Sequence, residues 1–203
     1  AIETTFGNLR YFKRLPEGTE CAVATSKVIN LSDVFGDSDQ TNKFVTRYLQ
    51  STHCDLFFAD AAILVEGVAE SMLLPHFIRS KFPELYQRYI TILGVNGRHA
   101  HRLSPLIEKL CLPTLVITDL DPAEKEGYHK SVVPKRGEGQ ISGNYAIAKW
   151  LMKEKDIDKL VDYSEDKKEF SFASPYRFSI RLAYQTPVKV DFEGEEKEAI
   201  PGT

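Results

Sequence analysis

The stretch DLFFADAAILVEG, Asp55–Gly67, decides the fold. It is a short apolar run closed by an acid and a glycine, the pattern of a buried strand that ends at a site. Reading onward, the sequence predicts a helix over 68–82 broken by Pro83, then a second strand over 89–95 closed by Asn96-Gly97. A second helix over 103–110 follows, and a third strand over 113–118 closes on Asp119-Leu120-Asp121. Strand, helix, strand, helix, strand is the order of parallel βαβ units. The expected class is therefore α/β, a Rossmann-like parallel sheet flanked by helices.

The flanks are less regular. Residues 1–54 form a leading segment, with a strand predicted inside Val23–Leu31 and a helix over Asn42–Gln50 that puts Phe44, Val45, Tyr48 and Leu49 on one face. Residues 55–140 form the core of the reading, ending in a polar loop over 122–143. Residues 141–203 add a short helical element over 146–153 with the only tryptophan, Trp150, and a solvated stretch over 162–169. They end in an alternating segment over 177–192, read as one strand or a hairpin, and an acidic tail.

Composition narrows the function. The formal net charge is −3, whereas a free-standing DNA binder usually carries a basic excess. Any contact with nucleic acid must be local, metal-bridged or supplied by another part of a larger protein. Three widely spaced cysteines, Cys21, Cys54 and Cys111, form no CxxC, which speaks against a disulfide framework or structural zinc and for a reducing cytoplasm. The opening residues lack the charged and apolar regions of a signal peptide, so none is expected from them, and no apolar run approaches the ~20 residues of a membrane helix.

Ligands of open parallel sheets bind beyond the carboxyl ends of the strands. Glu66 closes the first strand and Asp119 and Asp121 the third. Residues two apart in an extended segment point the same way, so the two aspartates are expected to face one ion, with Leu120 turned into the core. Glu70 falls in the first turn of the following helix. Each acid alone also reads as a solvated group or a helix cap; four converging carboxylates require cations. Hard oxygen ligands suit Mg²⁺ or Mn²⁺, with Ca²⁺ a third choice, rather than zinc. Two such ions ~4 Å apart can serve phosphodiester hydrolysis.

Other residues stay open between two roles. Arg98, His99, His101 and Arg102 are either phosphate contacts or an ordinary helix start, and Lys130, Lys135 and Arg136 are either DNA-backbone contacts or a solvated loop. Ser142 reads as the N-cap of the helix that follows it, with a phosphate contact as the alternative. Trp150 and Tyr184 read as core.

A strand ending in Glu-Gly, a second ending in a small turn and a third ending in Asp-x-Asp resemble the Toprim domain. The words around them are sharper: Thr52–Phe77, Arg98–Asp121, LRYFKR near the start and Arg181–Val188 near the end resemble the overcoming-lysogenization-defect (OLD) family of nucleases. The resemblance implies a divalent-metal-dependent DNA endonuclease with Glu66, Asp119 and Asp121 as catalytic residues and Glu70 joining them as metal ligand. It implies roles in phage defence or DNA repair, and an ABC-type ATPase domain preceding this chain, which itself lacks a GxxxxGK[ST] phosphate loop. A homodimer is compatible with it; a membrane partner is not expected. In the family a further acid and a lysine that help catalysis lie beyond the point matching Thr203, so the chain is expected to be a carboxy-terminal piece, shortened at its end. The rival reading is a non-catalytic Toprim module for regulation or dimerisation.

Overall fold

A computed structural model describes residues 9–15, 17, 22–31, 34, 54–95, 99–125, 131–151, 154–173, 176–192 and 194–201. The helix expected over 42–50 and the Asn96-Gly97 turn lie outside them. The described residues open with an antiparallel pair, β1 (Arg10–Leu15) and β2 (Thr25–Asn30). It continues through β3 (Ala61–Val65), α1 (Val68–Lys81), α2 (Pro83–Tyr86), β4 (Ile90–Gly94), α3 (Ala100–Leu110) and β5 (Thr114–Ile117). Beyond these come β6 (Pro122–Ala123), β7 (Ile141–Ser142), α4 (Tyr145–Trp150), α5 (Ile157–Val161), β8 (Glu169–Phe172) and β9 (Phe178–Ala183). A hairpin of β10 (Val188–Phe192) and β11 (Glu195–Ala199) ends the described chain.

Five strands make the central sheet, in the order β4-β3-β5-β9-β8. The first four run parallel and β8 pairs antiparallel at the edge. The fold is thus α/β with a mixed sheet flanked by helices. β3 is an interior strand, and its Ala62, Ile63, Leu64 and Val65 are all buried, as a strand covered on both faces requires. α3 closes one face with Ala100, Leu103, Leu106, Ile107 and Leu110, an i, i+3, i+6, i+7, i+10 stripe wholly inside the core.

Cys111 ends α3 in the left-handed region at φ 48°. Its N–H donates to Glu108 O, and the N–H of Leu112 reaches back to Ile107 O. Lys13 Nζ on β1 then donates to the Leu110 and Cys111 carbonyls at 2.6 and 2.9 Å, placing a cation on carbonyls the helix leaves unpaired. The β1–β2 ribbon is docked through this contact and through Ile29, which joins the core.

Several expectations are corrected. The strand expected over 55–65 starts only at Ala61; Cys54–Phe57 is a 3₁₀ turn. Asp60, just before the strand, accepts from Tyr89 N at 3.0 Å, tying the starts of β3 and β4. Pro83 ends one helix and begins another at its first position, where a missing N–H costs nothing. The loop over 122–143 is pinched by the β6–β7 pair. The solvated stretch over 162–169 contains a 3₁₀ turn leading into β8. The alternating segment divides between two sheets, β9 joining the central one and β10 pairing with the acidic tail. That pairing lets Lys189 reach diagonally to Glu196 at 3.2 Å and turns at Gly194, whose φ of 82° a side chain would strain.

Candidate active site

Parallel register brings the acids together. Val65 stands opposite Ile117, and Ile117 opposite Ala183, so β3, β5 and β9 end on one rung. The residues just past that rung are Glu66, then Thr118 to Asp121, then Tyr184 and Gln185. Thr118 N donates to Ala183 O at 2.9 Å, carrying the pairing one residue further. Glu66, Asp119 and Asp121 are half-buried here, and Leu120 between the aspartates is fully buried.

The segment is not extended throughout. Asp121 lies at φ 47°, in the left-handed region that aspartate tolerates better than most side chains. The two aspartates are therefore not simple alternate residues of a strand, although Leu120 does turn inward. Each has its own polar neighbour. Gln185 Nε2 donates to Asp119 Oδ1 at 2.5 Å, while its Oε1 accepts from Leu120 N at 2.7 Å. Asp121 Oδ2 lies 3.3 Å from Asn144 Nδ2.

Asn144 is the hub. It is the N-cap of α4, its Oδ1 accepting from Ala146 N at 2.8 Å and Ile147 N at 3.3 Å. That fixes the amide orientation and aims Nδ2 at the rim. There Nδ2 reaches Glu66 Oε1 at 2.9 Å, Thr118 Oγ1 at 2.8 Å and Asp119 O at 2.9 Å, besides Asp121. Two N–H groups thus serve four acceptors through shared bonds. The Thr118 hydroxyl also donates to Glu66 Oε1. Asn144 and Thr118 are 1% and 4% exposed, so no water replaces these partners.

Glu70 completes the cluster from the first turn of α1. Its Oε2 is buried without a hydrogen-bond partner and lies where a Cβ on residue 67 would project. Gly67 is what leaves that space. The electrostatics register all four acids: burial first, then the charges of Glu66, Asp121 and Glu70, push the Asp119 carboxyl above its ordinary range, with the Gln185 hydrogen bond pulling the other way. Among the described residues no three His, Cys, Asp or Glu side chains stand close enough to enclose an ion as placed. The donor set is nonetheless all carboxylate, mutually repelling and left with an orphaned oxygen, which is the chemistry a hard cation satisfies.

The basic candidates divide. His99 is the N-cap residue of α3 and His101 lies in its first turn, its ring packed against Tyr145 at 5.8 Å. Arg102 is half-buried on that helix. Arg136 is paired elsewhere, with Asp162 at 2.7 Å and Glu198 at 3.0 Å. Lys135 is exposed beside it, its backbone N–H donating to Gln140. Arg98 and Lys130 lie outside the described residues. Ser142 is not the helix cap; its Oγ accepts from Asn144 N at 3.1 Å and so positions the residue that is. Trp150 and Tyr184 are in the core, with the Tyr184 hydroxyl donating to Leu160 O at 2.9 Å. Asn144, Thr118 and Gln185 were absent from the sequence-based set; the one available signal was an asparagine directly ahead of an apolar helical run.

A family model described as "Overcoming lysogenization defect protein-like, TOPRIM domain" matches residues 57–121, the segment that runs through β3 to Asp121. The chain carries an OLD-like Toprim domain. It is also 32% identical over 161 residues to a protein named Endonuclease GajA from Bacillus cereus (strain HuB5-5). That alignment takes in 79% of this chain and 22% of the relative, so the chain spans about a fifth of the relative's length. The Toprim match stops at Asp121, whereas Asn144 and Gln185 lie beyond it. No described helix is long and apolar enough to cross a membrane.

Proposed function

We propose that this chain is the catalytic part of a divalent-metal-dependent DNA endonuclease. The observation that carries the reading is the convergence of Glu66, Glu70, Asp119 and Asp121 on one sheet edge, felt at Asp119 as a raised carboxyl pKa. The name of the relative, an endonuclease, supports it.

In this reading the four carboxylates hold two Mg²⁺ or Mn²⁺ ions, with Ca²⁺ as a further candidate. Such ions, when bound, make an attacking water more acidic and neutralise charge on the phosphoryl oxygens. The chain's own residues do the positioning. Asn144 and Thr118 hold one oxygen of Glu66 and leave the other available. Gln185 does the same for Asp119, occupying Oδ1. Fixing the ligands before the cation arrives spares reorganisation during the reaction. His99, His101 and Arg102 stand at the start of α3 as candidate phosphate contacts, with Arg98 just ahead of them in sequence. The Asp162 and Glu198 pairing leaves Arg136 poorly suited to that role. We further propose that the parent protein is cytoplasmic and joins this part to an ABC-type ATPase domain, and that it acts in phage defence or DNA repair.

The test is nicking of supercoiled plasmid with Mg²⁺, Mn²⁺ or Ca²⁺ by the chain and by Asp119→Ala. Metal-dependent nicking that disappears in the variant is expected; nicking that survives it refutes the assignment. One observation favours a second reading, a non-catalytic Toprim module that pairs with another copy. α1 buries none of its residues, and Val68 and Met72 on it are 70% and 73% exposed. That reading predicts a dimer in solution that leaves plasmid intact.

A further inference from the structure

A cavity of about 230 Å³ adjoins the carboxylate cluster, lined in part by Asp121 and Asn144. Pro122 and Ala123 of β6 and Ile141 of β7 supply apolar lining. Ser131 and the exposed Lys155 supply polar and cationic lining. Ser142 N donates to Lys155 O at 2.6 Å, and Ile141 bridges to Asp156, so Lys155 is held against β7. Tyr145 stands at the mouth, 62% exposed, its ring resting on His101.

Apolar lining, an exposed aromatic ring, a hydroxyl and a lysine whose backbone is anchored match the parts of a nucleotide. The base suits the apolar lining and the ring, the sugar suits Ser131, and the phosphate suits Lys155. Size limits the occupant. The cavity is smaller than the roughly 300–1,000 Å³ of ordinary small-molecule pockets, so it admits one base and its sugar but not a base pair. We propose that this cavity is a nucleotide subsite, taking one unpaired nucleotide of the substrate strand next to the phosphodiester at the carboxylates. The inference rests on the endonuclease reading and adds to it: the preferred substrate is DNA with an unpaired base near the cut.

The experiment is photo-cross-linking of the 203-residue chain to a short oligonucleotide carrying 4-thiothymidine, unpaired in one probe and base-paired in the other. Cross-linked peptides are mapped by mass spectrometry, and plasmid nicking is measured on the same preparation. Cross-links from the unpaired probe within residues 141–155 are expected. So is a loss of affinity for that probe of about fivefold or more in Tyr145→Ala, the scale of one lost base stack, with Tyr145→Phe close to the parent. Lys155→Gln is expected to weaken binding and flatten its salt dependence. Cross-links confined to other segments, or equal for paired and unpaired probes, while plasmid is still nicked, overturn the subsite and leave the nuclease standing. No cross-link and no nicking overturn both.

Discussion

Replacing Asn144 by alanine removes two things at once, and the structure sizes both. The first is the N-cap of α4, where Oδ1 accepts from two backbone N–H groups; losing such a cap costs ~1 kcal/mol. The second is the Nδ2 donor to Glu66, Thr118, Asp119 O and Asp121. Hydrogen bonds to charged groups contribute ~1.5–3 kcal/mol, and at 1% exposure no solvent takes the donor's place. The sum is about 2.5–4 kcal/mol, a large share of the ~5–15 kcal/mol that holds a domain together. Urea unfolding reads it directly, because the only tryptophan, Trp150, is buried on α4 itself. Asn144→Asp separates the two parts. Aspartate keeps the capping oxygen, but it sets a fifth carboxylate beside Glu66. In EDTA it should be at least as destabilised as the alanine variant, and millimolar Mg²⁺ or Mn²⁺ should restore part of the loss. An alanine variant within about 0.5 kcal/mol of the parent, or an aspartate variant as stable as the parent in EDTA, would refute this account of the hub.

Gly67→Ala should fold normally, since the Cβ meets only the movable end of Glu70, yet cleave plasmid about tenfold more slowly because Glu70 is displaced; equal rates for variant and parent would show that Glu70 position is immaterial. Asp119 has a raised folded-state pKa, so the folded chain binds more protons than the unfolded one; metal-free stability should fall as pH rises from about 4 through that raised value, and Asp119→Asn should flatten the fall in thermal melts across that window. Leu120→Ala removes a fully buried side chain between the two aspartates and should cost about 2–5 kcal/mol in urea unfolding, whereas Arg136→Ala, whose ion pairs are solvent-exposed, should leave the unfolding midpoint nearly unchanged.

The acids were legible in the sequence because local pattern marks them: an apolar run too short for a helix, then an acid at its end. Three strands and two helices followed from the same signal, with boundaries off by a few residues where Cys54–Phe57 turns before β3 begins. The polar partners were not legible in this way. Asn144 lies 78 residues from Glu66 in sequence, and Gln185 lies 66 from Asp119. Nothing in an alternating stretch such as 177–192 says which strand it will join, since strand preference reports fit to neighbours not yet known. Nor does spacing alone reveal a left-handed residue, and the expected extended geometry failed at Asp121 for that reason.

The core nonetheless determines what local pattern could not. β9 can bury Phe178, Ile180 and Leu182 on one face only if its register against β5 keeps Ile180 beside Thr114 and Leu182 beside Val116. A slip of one residue would turn those three side chains to the opposite face. It would also carry Gln185 about 3.3 Å along the strand, far enough to break its bonds to both Asp119 and Leu120. The apolar alternation of residues 178–182 therefore selects the position of Gln185, which never touches them. The geometry of the carboxylate cluster in this chain is inherited from strand register. Core substitutions in β9 that preserve volume should leave the carboxylates in place, and those that shift its register should disable them without altering any acid.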